Sequence, residues 1–260
     1  MDWLFKMRRY QTVFFALGLS VLSGMVSAKT DTFTVAIYYP QVPPYMYAAE
    51  DNVPTGVIPE LLNAFFANQP YTLKYVYENR YRAELGLYQG KYDASVLASK
   101  WTMQPEDLLF SQPIVAHQDY LYSLKPLSNT PESLSGKTIC LRRHYIYSAF
   151  REQLNSGQLV RVDTESEYDQ FNMLVNNRCQ LAYMNEHVAN WLINNHFSDT
   201  TFHRTAEAAD KTDLTIALNL KWDKLKPRLD AFIREAHRTG VIDRSLVRHM
   251  KKSKASPKPN

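Results

Sequence analysis

Two periods of hydrophobic spacing take turns along the chain. Residues 32–39 (TFTVAIYY) and 71–77 (YTLKYVY) are rich in β-branched and aromatic side chains and predict strands. Pro40, Pro43 and Pro44 stop the first of them in a rigid loop. In residues 58–67 (IPELLNAFFA), Leu61, Leu62, Phe65 and Phe66 recur at helical spacing behind a first-turn proline, Pro59. A short helix is expected over 82–89, ended by Gly90, and a third strand over 92–98. Strand, helix, strand, helix, strand implies a parallel sheet with crossover helices. The same order returns with strands at 137–141, 159–162 and 179–183 and helices at 147–154, 167–176 and 186–194. Residues 115–123 form a run long enough to cross between the two units, and 212–218 (TDLTIAL) form a second crossing strand. A last helix over 225–238 ends at Gly240. The fold class is therefore α/β, with two parallel-rich sheets joined by two hinge strands. Lobe 1 is assigned to residues 29–117 plus 217–250, lobe 2 to 124–211, and the crossings to 118–123 and 212–216.

The N-terminal segment follows neither period. Lys6, Arg8 and Arg9 precede a ten-residue apolar run over 13–22, too short to span a bilayer, and Val26-Ser27-Ala28 supplies the small residues a signal peptidase reads. Residues 1–28 are read as a cleavable signal peptide, cut after Ala28, which places the protein in the periplasm. Removing this segment lowers the formal net charge from +4 to +2, because it carries three basic residues against Asp2. So mild a balance leaves no footprint for nucleic acid. Residues 251–260 (KKSKASPKPN) are basic and proline-bearing and are expected to be disordered.

Composition mainly excludes. Outside the leader, glycines stand only at 56, 86, 90, 136, 157 and 240, too scattered for a dinucleotide fingerprint or a phosphate loop. A G-x-S-x-G elbow and a zinc-protease helix are absent, and the scattered histidines 117, 196, 203, 237 and 249 suggest no metal site. No cofactor is expected. Export permits a disulfide between Cys140 and Cys179, although two buried free thiols fit the sequence as well.

The order of short motifs carries more. A strand leads to Pro43-Pro44-Tyr45, and Gly56 opens a helix. Leu87-(x)2-Gly90-Lys91-Tyr92-Asp93 follows, then Thr102, Phe110-Ser111-Gln112-Pro113, Leu134-(x)-Gly136-Lys137, and a helix ending in Thr239-Gly240. Over residues 32–250 this resembles the family 3 periplasmic solute-binding proteins, receptors that deliver polar amino acids and similar solutes to ABC importers. The resemblance implies a periplasmic-binding-protein-like fold whose two lobes close on one small ligand. It implies an ABC-transporter permease as partner, or a sensor kinase, and a monomeric chain without catalytic activity.

Ligands of open α/β sheets lie beyond the carboxyl ends of strands, which marks residues 38–47, 97–103, 142–147 and 183–187 as cleft candidates. Tyr38, Tyr39, Tyr45 and Tyr47 could stack on a planar or cationic group, some packing instead as core. The resemblance implies an arginine three residues after Thr102 for a ligand carboxylate, but Pro105 stands there. It implies an aspartate after the third strand of lobe 2, where Asn185 and Glu186 stand. Lys100, Trp101, Arg142, Arg143 and Tyr145 are the replacement candidates. The bland alternatives are a solvated pair for the two arginines and a core plug for Trp101. The ligand-binding set is thus Tyr39, Tyr45, Lys100, Trp101, Thr102, Arg142, Arg143, Tyr145, Asn185 and Glu186, for an amino-acid-like or other carboxylate solute. A competing enzymatic reading, after the cyclohexadienyl-dehydratase relatives of this family, would use Glu186, His187 or His144 as general acid.

Overall fold

The computed structural model describes residues 31–251 except 50, 51 and 129. The predicted leader and all but the first residue of the predicted tail lie outside the described residues.

Lobe 1 begins with β1 (Asp31–Tyr38), a short hairpin of β2 (Tyr47–Ala48) and β3 (Pro54–Thr55), and α1 (Val57–Phe66). It continues through β4 (Tyr71–Glu78), α2 (Arg80–Tyr88), β5 (Ala94–Leu97) and β6 (Leu108–Phe110). Then β7 (Val115–Ser123) leads into lobe 2, built from α3 (Pro131–Leu134), β8 (Lys137–Arg142), α4 (Arg151–Asn155) and β9 (Leu159–Thr164). It is completed by α5 (Glu167–Val175), β10 (Leu181–Asn185), α6 (Glu186–His196) and β11 (His203–Arg204). Finally β12 (Asp210–Asn219) returns to lobe 1, where α7 (Lys226–Arg238) and α8 (Val241–Met250) lie. Among the described residues no helix is long and apolar enough to cross a membrane.

In each lobe the first strand runs parallel to its neighbours: β1 to β4 and β5, and β8 to β9 and β10. Period-two alternation sorts lobe 2 onto two faces. Ile139, Leu141, Leu181 and Tyr183 pack with Phe150 on one side. Cys140, Ala182 and Met184 face Phe171 and Leu174 on the other. Cys140 and Cys179 are joined there as a disulfide, their Cα atoms 5.8 Å apart.

Several motif residues have clear mechanical work. The Asp93 carboxylate accepts from Thr34 N–H (2.7 Å) and from the Trp222 indole (2.8 Å), tying β1 to the C-terminal segment. Ser111 holds the returning strand, its hydroxyl accepting from Ile216 N–H and its own N–H donating to Ile216 C=O, each at 2.9 Å.

Three features depart from the sequence expectation. The crossing strands pair with each other, antiparallel, from Asp210 opposite Asp119 to Leu214 opposite Val115. A hydrogen-bonded path therefore runs from one lobe's parallel-rich sheet to the other's through the two joining strands. The mutual pairing occupies 115–119 and 210–214, since residues 120–122 already pair with β10 and 215–218 with β5. The helix expected over 147–154 is a single 3-10 turn followed by the five-residue α4. Gly240, expected to end the last helix, ends α7 in the left-handed conformation (φ 66°) and also opens α8, an added amphipathic helix whose Ile242 and Ser245 are buried. Glycine adopts that conformation without the Cβ clash that resists it elsewhere.

Candidate functional site

The parallel strands of both lobes point their carboxyl ends at a shared cleft, and the side chains there follow from local rules. Gly56 adopts φ 113°, and a Cβ on it would fall 2.5 Å from the Tyr45 carbonyl oxygen. Only glycine lets that carbonyl and its neighbour seat on the start of α1, accepting from Val57 N–H (3.2 Å, Pro44 O) and Ile58 N–H (3.0 Å, Tyr45 O). This fixes the Pro43-Pro44-Tyr45 turn and sends the Tyr45 ring into the interior. In lobe 2, Asn185 caps α6, its Oδ1 accepting from His187 N–H (2.9 Å) and Val188 N–H (3.3 Å). Its amide nitrogen donates to Gln118 C=O at 3.1 Å, across to the crossing strand.

Between the lobes is a cavity with an empty volume of about 800 Å³, open solvent at its mouth included. Its walls are mostly rings and apolar side chains: Tyr38, Tyr45, Trp101, Tyr145, Tyr147 and Tyr183 with Met46 and Met184. The charged groups in the wall are Arg80, Asp119, Arg142 and Glu167.

Arg142 is buried, donates twice from one nitrogen to Glu167 (2.6 and 2.7 Å), and reaches across the cleft to Pro40 C=O (2.6 Å). Burial disfavours its charge, yet the Glu167 carboxylate, with Tyr145 and Tyr147 beside it, holds its pKa above the ordinary value. Arg80 answers from lobe 1. It contacts Glu84 at 3.2 Å, donates to Trp101 C=O, and donates across to His144 C=O at 3.4 Å. Burial pushes the Tyr38 phenol up to about 12 and those of Tyr45 and Tyr145 well above the usual range, so all three serve as neutral hydroxyls. The Tyr45 hydroxyl donates to Asn185 Oδ1 (2.8 Å) and lies 2.9 Å from His187 Nδ1, joining the lobes again. Among the described residues no group of three or more His, Cys, Asp or Glu side chains is placed to hold a metal ion.

Of the ligand-binding set expected from sequence, Tyr45, Trp101, Arg142, Tyr145 and Asn185 come together in the cavity wall, beside Tyr38. The others do not. Tyr39 is about half exposed. Lys100 turns away to pair with Asp210 and with Lys211 C=O. Thr102 spends its hydroxyl on Ala98 C=O at 2.8 Å. Arg143 pairs with Glu165 in solvent, and Glu186 pairs with Arg204. The general-acid candidates Glu186, His187 and His144 stand outside the wall as well.

Sequence reasoning missed Arg80, His117, Asp119 and Glu167. Arg80 and Glu167 follow the second strand of their lobes, whereas only first- and third-strand loops were considered. The signal was present: Asn79 and Ser166 are helix caps placed directly after a strand. His117 and Asp119 stand two apart in a crossing strand, which puts both side chains on one face.

No curated protein sequence matches the chain. Solved structures do. A histidine kinase sensor domain with similarity to periplasmic binding proteins superposes with a TM-score of 0.73 at 17% identity, covering 85% of this chain and 96% of that one. An arginine-binding protein from T. maritima, in a mutant form, gives 0.70 at 16% identity, covering 84% and 94%. An amino acid ABC transporter substrate-binding protein from Streptococcus pneumoniae, bound to L-arginine, gives 0.71 at 16%, covering 84% and 94%. Likeness at such identities shows the fold, the α/β periplasmic-binding-protein-like arrangement of two lobes. The family model for bacterial extracellular solute-binding proteins, family 3, matches residues 34–252, and with that fold and cleft in view the chain belongs to this family.

Proposed function

We propose that the protein is an exported receptor that closes on one small polar ligand, amino-acid-like or another carboxylate, and hands it unaltered to an ABC importer. The observation that carries this reading is the cavity walled from both lobes, with Arg80, Arg142 and Tyr45 each bonded across the cleft. Closure around a solute adds such contacts, so ligand binding shifts the population toward the closed form. Signalling to a membrane kinase is the second reading. It is favoured by the likeness to a histidine kinase sensor domain and to the B. pertussis BvgS periplasmic domain, of which this chain covers 44%. Both roles use the same closure.

Native mass spectrometry of protein purified from its host, followed by calorimetry and X-ray scattering with a metabolite panel, tests the proposal. The expected result is one bound small molecule per chain and a more compact scattering profile on its addition. Binding with chemical conversion of the ligand, or no binding across the panel with an unchanging profile, overturns it.

A further inference from the structure

Glu84, Glu167, Asp210 and Glu186 stand at or behind the cleft, and each has its own strong cation: Arg80, Arg142, Lys100 and Arg204 respectively. Asp119 is different. It lies in the cavity wall, 4% exposed, and its neighbours are the His117 ring (Nε2 to Oδ1, 3.0 Å) and the Tyr183 hydroxyl, which donates to Oδ2 at 3.0 Å. In the neutral ring, the contact through Nε2 places the proton on that nitrogen and makes Nδ1 an acceptor. That Nδ1 is buried and has no hydrogen-bond partner among the described residues, an arrangement that costs free energy unless a donor reaches it. Both wall arginines are matched to carboxylates of their own lobes, whereas Asp119 has no lysine or arginine partner among the described residues. Around the pair stand the Trp101 ring, edge-on to His117 at 5.0 Å, and the Tyr45 ring at 6.0 Å. Aromatic faces beside a carboxylate suit a cationic nitrogen.

We propose that the crossing strand β7 carries the ligand's polar anchor: Asp119 and His117 Nδ1 together receive a protonated amine or guanidinium of a small solute, flanked by Trp101 and Tyr45. The inference rests on the receptor reading and narrows its ligand to one bearing a cationic nitrogen. The ammonium-binding carboxylate thus moves from the loop after β10, where Asn185 is occupied as a helix cap, to the hinge.

Calorimetry with two matched pairs of probes tests this: agmatine against glutarate, and tyramine against 4-hydroxyphenylacetate. Each pair is titrated into the wild type, Asp119→Asn and His117→Phe. At least one amine binds the wild type, neither acid does, and Asp119→Asn weakens the amine by about 30-fold or more, as expected for losing one partner of a buried charge pair. His117→Phe keeps a ring but removes the acceptor, and weakens the amine by about tenfold. If Asp119→Asn does not fold, His117→Phe and the amine-to-acid contrast in the wild type decide the matter. Acids binding in place of amines, undiminished amine affinity in the folded variants, or no binding by either amine overturns the assignment. None of these touches the receptor reading, which falls only to the metabolite panel and scattering.

Discussion

The two lobes meet the cleft with the same device built in two ways. Each offers a buried arginine that is held by a carboxylate of its own lobe and donates to a carbonyl of the other. In lobe 1, Arg80 and Glu84 are neighbours on one helix, and the 3.2 Å contact to Glu84 Oε2 lacks hydrogen-bond alignment. The remaining oxygen of Glu84 is satisfied by the Tyr88 hydroxyl (2.7 Å) and Met103 N–H (2.5 Å). In lobe 2, Arg142 ends a strand and Glu167 begins a helix 25 residues on, with two aligned bonds between them and the Tyr145 ring 4.8 Å from the guanidinium. A pair of neighbours within a helix is held by the helix whatever the lobes do. The Arg142–Glu167 pair must be positioned by tertiary packing, and lobe 2 also carries the disulfide. Lobe 2 therefore stakes more of its stability on the cleft wall than lobe 1 does.

The sharpest way to break this comparison is Glu167→Gln. It leaves the buried Arg142 charge unmatched and should cost about 3–5 kcal/mol in urea unfolding. Glu84→Gln should cost less, about 1–3 kcal/mol, because it removes an unaligned contact. Equal losses would dissolve the distinction between the lobes. The disulfide comes next. It closes a separation of 39 residues, and Cys140→Ser with Cys179→Ser should remove roughly 2–4 kcal/mol. That loss should appear as an equal fall in melting temperature on reducing the wild type.

A pH titration probes the seam between the lobes. Burial lowers the His187 pKa below its ordinary value of 6.5, offset in part by Glu186. A depressed histidine binds fewer protons folded than unfolded, so its neutral-state contribution is fully present above about pH 6.5 and is lost as pH falls toward the folded value. Melting temperature should therefore drop on acidification through this window, and drop less in His187→Gln; parallel curves would exclude His187 as the cause. The smallest effect is expected from Arg143→Ala. Arg143 and Glu165 have side chains 51% and 61% exposed, and such a pair is worth about 0–1 kcal/mol. The variant should melt and bind ligand like the wild type.

Much of the fold was legible because burial leaves a period. The strand at residues 115–123 matches β7, and the helices at 58–67, 167–176 and 225–238 match α1, α5 and α7 to within two residues. What escaped was set by contacts distant in sequence. The mutual pairing of the crossing strands joins residues nearly a hundred positions apart and leaves no local mark. Residues 147–154 have apolar residues enough for a helix, but the Tyr147 ring is drawn off to pack edge-to-face with Tyr183 (5.1 Å), and its hydroxyl accepts from Arg142 N–H at 2.7 Å. At the site, the aromatic members were readable because rings cluster in sequence around Tyr45 and Tyr145. The charged members were less so. Lys100 and Arg143 looked as suitable as Arg142 until the fold gave each a partner elsewhere, whereas Arg80 lay ahead of the helix expected over 82–89 and outside the loops weighed as cleft candidates.

The mutual pairing of β7 and β12 limits what the hinge can do. Two independent wires between the lobes would let them shear, twist and drift apart. A ladder from Asp119–Asp210 to Val115–Leu214 makes a single strap, which resists sliding along its length because every step would break backbone bonds in register. What remains is flexing across the strap's thin direction, so any movement of the lobes that the proposed ligand closure requires would follow one arc, and a docking surface split between them would be presented in one repeatable alignment.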